Sequence, residues 1–460
     1  MENNSPQELK LYKAHEKIYP REVKGRFQNK RKLAVFVLLG LFYFLPWLTW
    51  DGQQAILFDL PNRRFHIFSL TLWPQDFIYL AWLLIIAAFS LFFFTALAGR
   101  LWCGFACPQT VWTEVFIWLE QITEGNNNKR KKLDKSAWTL TKFRKKFSKQ
   151  FLWITFALWT GFTFVGFFTP IHQLSDNLMQ YNLGPWETFW FLFYALATYG
   201  NAGYLREQVC LYMCPYARFQ GAMFDQDSLI ISYDEKRGEP RMRGKTRRAS
   251  DSPGDCIDCT LCVQVCPTGI DIRDGLQYEC IGCAACIDAC DMVMEKSNMP
   301  KGLIKYTTEH SINNAKTKIL RPRIIIYGLI LLVLITSFAY SLYQRSNIDL
   351  NIIHDRNSLY RIVDSNTIEN VYTVKIMNKG NSLSRYKITV EGLDSLIVKI
   401  NDRDRDIKAM PNELISLPLK IQADKNIVTN KIYTIKVRVT NLSNENESVI
   451  EKVKYFGYTK

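Results

Sequence analysis

The chain has 460 residues, with 58 Lys and Arg against 43 Asp and Glu (net charge +15), 48% hydrophobic residues and 12 cysteines. Averages of this kind describe an ordinary basic soluble protein, but their distribution along the chain excludes one. Five stretches of 18 residues or more carry no Asp, Glu, Lys or Arg: Leu33 to Trp50, Phe77 to Gly99, Phe151 to Ser175, Thr188 to Leu205 and Ile324 to Gln344. Every cysteine lies between Cys103 and Cys290, which also excludes a small secreted scaffold stapled by disulfides.

A helix rises about 1.5 Å per residue, so about 20 apolar residues cross a hydrocarbon layer of roughly 30 Å. The five stretches therefore predict five membrane spans, at about 33–50, 77–99, 151–175, 187–205 and 323–344. A buried core helix usually keeps a polar edge, whereas the segment from Leu80 to Phe94 is apolar all round. The first stretch also resembles the apolar part of a signal peptide. Its basic leader of 32 residues, its Pro46-Trp47 and its lack of a small-residue cleavage site favour a retained span.

Orientation follows the basic residues near the span ends. Residues 1–32 hold nine Lys and Arg and the 100–150 loop holds eleven, while only Arg63 and Arg64 separate the first two spans. This places the basic segment 1–32, the 100–150 loop and the 206–322 region in the cytoplasm, and the tail from 345 to 460 outside. Each basic run could alone be a solvated or nucleic-acid-binding face. Their alternation with apolar spans points to a lipid membrane and to no nucleic acid.

Two matching cysteine pairs follow the second and fourth spans. They are Trp102-Cys103-Gly-Phe-Ala-Cys107-Pro108 and Cys210-Leu-Tyr-Met-Cys214-Pro215. If helical, this spacing puts both thiols of a pair on one helix face, suited to joint ligation of a soft metal or to dithiol chemistry. Cu(I), zinc and a further iron–sulfur centre all fit such a site, and four packed, inert cysteines are the bland alternative. The recurrence of Cys-Pro on one side of the membrane favours function.

After the transmembrane region 33–215 and a basic linker at 216–250, residues 251–296 carry two complete runs. Cys256-x-x-Cys259-x-x-Cys262-x-x-x-Cys266-Pro267 is followed by Cys280-x-x-Cys283-x-x-Cys286-x-x-x-Cys290. In a bacterial two-cluster ferredoxin, three closely spaced thiolates hold one cubane and the fourth reaches the neighbouring one. Cys256, Cys259, Cys262 and Cys290 are thus expected to hold one [4Fe–4S] cluster, and Cys280, Cys283, Cys286 and Cys266 the other. Zinc competes for any paired Cys-x-x-Cys, but two four-cysteine runs are more specific for iron–sulfur. Asp291 stands where the second run would have its proline. No flavin or nucleotide motif is present, and His66 and His172 read as structural.

After a connector at 297–322 and the fifth span, the tail alternates polar and apolar residues in five segments: Val371–Ile376, Tyr386–Glu391, Ile415–Ile421, Tyr433–Val439 and Val449–Lys454. Turn signals at Asn378–Asn381, Asn401-Asp402 and Asn441–Asn446 separate them. The expected fold class is therefore a multi-domain membrane protein: a five-helix transmembrane bundle, a two-cluster ferredoxin domain and an immunoglobulin-like β-sandwich without a disulfide at 345–460.

These motifs resemble the CcoG/FixG (RdxA) family of iron–sulfur membrane proteins required for assembling cbb-type cytochrome c oxidases. The resemblance is carried by Trp102 to Trp112, Cys210 to Phe224, Leu229-Ile-Ile-Ser-Tyr-Asp234, Arg237-Gly-Glu-Pro240 and the double cysteine run. It implies reduction of Cu(II) to Cu(I) for the oxidase's copper centre, with copper as substrate or bound ion. It makes Cys103, Cys107, Cys210 and Cys214 the candidate catalytic, copper-handling or redox residues. It further implies a bacterial cytoplasmic membrane with the tail periplasmic, copper chaperones or a copper-transporting ATPase and oxidase assembly factors as partners, and an unidentified electron donor. A quinol-linked electron-transfer subunit of the NapH/NosR kind and a non-catalytic assembly scaffold are the alternatives.

Overall fold

The computed structural model describes residues 17–243, 253–313, 315–356, 358–364, 366–380, 382–392, 396–400, 407–428, 430–444 and 447–457. The first half of the basic leader, most of Arg241–Arg248, the expected ferredoxin boundary at Asp251, Asn401-Asp402 and residues 445–446 of the last turn signal lie outside them. The chain divides into two compact units, residues 1–68 with 72–335 and residues 69–71 with 336–460.

The first unit is mainly helical. Its principal helices are α1 (Arg26–Phe44), α2 (Phe77–Ala98), α3 (Leu101–Phe105), α4 (Pro108–Glu124), α5 (Asn127–Lys135), α6 (Leu140–Val165), α7 (Ile171–Met179), α8 (Pro185–Thr198) and α9 (Pro215–Met223). Two π-helical segments, Tyr199–Leu205 and Val209–Met213, join α8 to α9. The ferredoxin region adds α10 (Leu261–Gln264) and α11 (Ala285–Lys296). Its strands β1 (Ile230–Tyr233) and β2 (Ile304–Thr307) pair antiparallel, Ile230 opposite Thr307. Helix α12 (Pro322–Tyr343) runs across the boundary into the second unit.

Among the described residues, two helices are long and apolar enough to cross a membrane: Pro74–Ala98, with mean hydropathy 2.5, and Pro322–Tyr343, with 2.3. The other three apolar stretches are not continuous helices of spanning length. After α1 ends at Phe44, Pro46 sits in a 3₁₀ turn and Thr49–Trp50 pairs with Gln53–Gln54. Proline has no N–H to continue the helix, so Leu33–Trp50 is helical only in its first two-thirds. The stretch Phe151–Ser175 breaks at Gly166, and α7 restarts at Ile171 behind Pro170. In the fourth, α8 is capped by Glu187, whose carboxylate accepts the Gly184 N–H at 2.9 Å, and passes into the π segment at Tyr199.

The second unit is a two-layer sandwich. Its strands are β3 (Ile348–His354), β4 (Arg361–Asp364), β5 (Thr367–Asn378), β6 (Ser384–Glu391), β7 (Ile397–Ile400), β8 (Ile407–Ala409), β9 (Leu414–Asp424), β10 (Ile432–Asn441) and β11 (Ser448–Phe456). One sheet runs β7-β9-β5-β3, with β4 also on β5, and the other β8-β6-β10-β11. Inward-facing Val374, Ile376, Leu419, Ile421, Ile435, Val437 and Val439 are fully buried, as period-two alternation requires. Four strands, β3, β4, β7 and β8, were not among the five expected.

Candidate functional site

The cysteine runs build two cavities. One, about 330 Å³, is lined by Cys266, Cys280, Cys283 and Cys286 together with Cys262, Pro267 and Ile281. The other, about 360 Å³, is lined by Cys256, Cys259, Cys262 and Cys290 with Tyr233 and Met294. Each expected set of four, including the crossed-over Cys266 and Cys290, thus converges on one cavity.

Local backbone geometry repeats between the runs. Asp258 and Thr260 flank Cys259 with φ of 49° and 58°, and Gly282 and Ala284 flank Cys283 with 69° and 61°. Left-handed residues at both sides of a ligand turn successive N–H groups into a concave nest that favours negative charge. The Gly282 and Ala285 N–H groups accordingly bond the Cys280 and Cys283 sulfurs. Burial, with the neighbouring cysteines, nevertheless pushes the Cys280 and Cys290 thiols up to about 12 and Cys286 well above its ordinary value. Four thiolates enclosed together need compensating positive charge, which the irons of a [4Fe–4S] cluster supply. The residues therefore fit that group.

The two cysteine pairs do not lie on helix faces as expected. Cys103 is in the short helix α3, but Cys107 is the extended N-cap of α4 (φ −61°, ψ 130°). Cys210 lies in the π segment, and Cys214 is the extended N-cap of α9 (φ −79°, ψ 110°). The cause is Pro108 and Pro215, which begin the new helices and disfavour the helical conformation at the residue before them. The second thiol of each pair therefore sits at a helix N-terminus.

The pairs come together across the fold. Cys103 lies within electrostatic range of Cys107 and Cys214, and Cys210 of all three others. Burial, with these neighbours, pushes Cys103 up to about 11 and Cys210 to about 12. Gln109 fastens the two motifs by donating to the carbonyls of Asn201 (2.9 Å) and Arg206 (3.0 Å). Gln220, on α9, lies 3.5 Å from the Cys103 sulfur. Among the described residues, no three His, Cys, Asp or Glu side chains come close enough to hold a single metal ion. His66 and His172 stand apart from these thiols, His172 packing edge-on to Trp47.

The paired cysteines also abut the second cysteine run. Cys103 packs against the cluster of Val265, Ile281, Cys283, Ala285 and Ala289. A Cβ added at Gly104 would stand 2.7 Å from the Gly282 carbonyl. The buried Arg100 guanidinium donates to the carbonyls of Ala217 (2.9 Å), Cys280 (3.3 Å) and Tyr278. Tyr278 in turn donates to the Leu211 carbonyl at 2.6 Å. Between the sites lies a cavity of about 510 Å³ whose lining includes Cys210, Glu114, Arg206, Glu207, Thr268 and Ile281.

A buried ion network braces this arrangement. Glu120, fully buried, pairs with Arg130 (3.0 Å), Arg206 (2.9 Å) and Lys17 (3.2 Å), and Glu124 with Lys146 (2.9 Å) and Lys149 (3.3 Å). Arg100, Gln109 and Glu120 carry no motif of their own. Arg100 and Gln109 are signalled only by standing near a Cys-Pro pair, and Glu120 is one of three glutamates in α4.

Comparison with known proteins agrees with this architecture. Residues 80–125 match a 4Fe-4S binding domain, 205–309 a 4Fe-4S dicluster domain and 338–457 the IG-like fold at the C-terminal of FixG. The nitrogen fixation protein FixG of Rhizobium meliloti is 37% identical over 429 residues (85% of this chain, 82% of FixG). RdxB and RdxA of Cereibacter sphaeroides are 40% and 35% identical, covering 92% and 96% of this chain and 92% and 97% of their own lengths. A crystallised FixG-related protein from Vibrio parahaemolyticus is 27% identical and aligns over 25% of this chain and 100% of its own, with a TM-score of 0.23. The chain belongs to the FixG family of iron–sulfur proteins, together with RdxA and RdxB.

Proposed function

We propose that this chain is a multi-pass iron–sulfur protein of the bacterial cytoplasmic membrane that reduces Cu(II) to Cu(I) for maturation of cbb-type cytochrome c oxidase. Cys256, Cys259, Cys262 and Cys290 would hold one [4Fe–4S] cluster, and Cys266, Cys280, Cys283 and Cys286 the other. A bound [4Fe–4S] cluster supplies storage and release of single electrons. The N–H groups of Gly282 and Ala285 hold the ligand sulfurs in place, and Arg100 ties the second run to the paired cysteines. Cys103, Cys107, Cys210 and Cys214 receive the copper substrate, because thiolates favour Cu(I) over Cu(II). Each Cu(II) takes up one electron and leaves as Cu(I).

The observation that carries this reading is the backbone contact of Gly104 with Gly282. It leaves no intervening layer between the second cysteine run and the paired thiols. The exposed apolar side chains of α1 (Leu33, Phe36, Leu41), α6 (Phe151, Trp159) and α8 (Phe189, Trp190, Phe193) support lipid contact for these helices as well as α2 and α12. The ferredoxin region then faces the cytoplasm and the sandwich the periplasm, with copper chaperones or a copper-transporting ATPase as partners. The test is Cys103→Ser/Cys107→Ser in the purified protein. Cupric reduction should vanish while cluster absorbance persists, and undiminished reduction would sink the assignment.

The match of residues 80–125 to a 4Fe-4S binding domain favours a second reading of the same thiols, as a third iron–sulfur centre. Iron analysis with EPR, with and without these four cysteines, separates the two.

A further inference from the structure

The electron-transfer reading leaves the point of entry undefined, and the order of the sites restricts where it can be. The 280–290 run touches the paired cysteines through Gly282 and Cys283. An external donor must therefore meet the other cavity, the one lined by Cys256, Cys259, Cys262 and Cys290.

Tyr233 forms part of that cavity's wall. The same residue lines a separate surface cleft of about 670 Å³, together with Ser232, Asp234, Lys236, Arg237, Lys305 and Thr307. The side chain is buried, at 4% exposure. Its hydroxyl donates to Glu239 at 3.2 Å, and the side chain shares one buried core and cavity wall with Cys256. One aromatic ring thus separates the cleft from a cysteine ligand and touches both.

The cleft is basic. Lys236, Arg237 and Lys305 face Asp234 alone among its charged lining residues. Arg237 is committed to the fold, pairing with Asp255 and donating to the carbonyls of Lys301 (3.1 Å) and Pro300. Lys236 and Lys305 are exposed, and Lys305 meets Asp234 only at 3.6 Å. A concave cationic rim of this kind steers an acidic partner and raises its association rate.

We propose that this cleft is the docking site of an acidic one-electron carrier protein, whose electron enters beside Tyr233 at the site bounded by Cys256, Cys259, Cys262 and Cys290. Each encounter oxidises the carrier by one electron and reduces the iron–sulfur site by one. No covalent bond forms or breaks, and no proton is transferred. The inference rests on the electron-transfer reading above but not on copper being the acceptor.

The test uses the full chain in detergent, its clusters oxidised and copper absent, with a reduced acidic [2Fe–2S] ferredoxin as probe and loss of visible absorbance as readout. Lys236→Glu/Lys305→Glu should slow reduction by the ferredoxin about tenfold at low salt. Dithionite, a small reductant, should still reduce the variant at the wild-type rate, with iron content unchanged. Added salt should slow the wild type and not the variant. Equal ferredoxin rates in variant and wild type would overturn the proposal, as would a reduced flavin nucleotide outpacing the ferredoxin through the same lysines. Loss of copper reduction with this lysine dependence intact would instead condemn the copper reading alone.

Discussion

Gly104 and Gly282 meet backbone to backbone. A methyl group on Gly104 would lie 2.7 Å from the Gly282 oxygen and 2.8 Å from the Cys283 Cα. Gly104 is helical, so alanine brings no backbone strain and would even gain up to about 1 kcal/mol in helix propensity. The clash opposes that gain with roughly 1–3 kcal/mol of overpacking. Gly104→Ala should therefore lower the thermal midpoint and slow electron passage to the paired thiols. Gly221→Ala, with nothing within 4 Å of its added Cβ, is the control and should be neutral or stabilising.

Arg100 is a buried cation within electrostatic range of both thiol groups, acting on Cys103, Cys210 and Cys280. Removing a positive charge disfavours adding an electron nearby. Arg100→Met should lower the reduction potential of the site held by the 280–286 cysteines. It should also destabilise the chain by about 2–4 kcal/mol, since three carbonyls lose a charged donor. Arg100→Lys keeps the charge but not the fork and should restore the potential more than the stability. A redox titration followed by EPR reads the first quantity, and an unchanged potential in the Met variant would exclude the electrostatic role.

Glu120 links pH to this architecture. Burial alone would raise its carboxyl, but Arg206, Lys17 and Arg130 outweigh it and hold the group down at about 2. A depressed folded-state value means stability that is complete above the ordinary carboxylate value of about 4.5 and is lost as pH falls toward about 2. Chemical denaturation followed across that window should show a steep decline in the wild type and a shallower one in Glu120→Gln. At neutral pH the variant should be about 3–5 kcal/mol less stable, because Arg130 and Arg206 remain buried without their carboxylate.

That each cysteine set lines one cavity was legible in the sequence, because ligand spacing is local chemistry. Cys266 and Cys290 each line the cavity to which the spacing assigned them. The shape of the paired cysteines was less so, since a helical spacing rule ignores what Pro108 and Pro215 do to the residue before them. Span boundaries were overdrawn for a related reason. Residues 166–175 are as free of Asp, Glu, Lys and Arg as residues 151–165 before them, yet Gly166 and Pro170 end one helix and begin another. Glu120 with Arg130 and Arg206 could not be read at all, because a partner 86 positions away leaves no pattern in a window. In the sandwich, β5, β9, β10 and β11 alternate over nine or more residues and were visible, whereas β8 has three residues and no resolvable period.

The sandwich has no disulfide between its sheets, and two tyrosines provide the cross-links instead. Tyr372, on β5 of one sheet, donates to the Lys454 carbonyl of the other at 2.8 Å. Tyr455, on β11, returns a 2.8 Å bond to the Ile368 carbonyl. Asn370 adds a two-way contact with the Phe456 backbone, donating to its oxygen and accepting from its N–H, both at 2.9 Å. All three side chains are buried, so losing a hydroxyl strands a carbonyl away from water. Tyr372→Phe and Tyr455→Phe should each lower the stability of the C-terminal domain by about 1–2 kcal/mol. For a domain of roughly 100 residues that is a drop of about 4–8 °C per kcal/mol in its thermal transition. The bonds lie side by side, so the double variant should lose an amount different from the sum of the singles. Strict additivity in calorimetry would show that the two tyrosines hold the sheets independently rather than as one clasp.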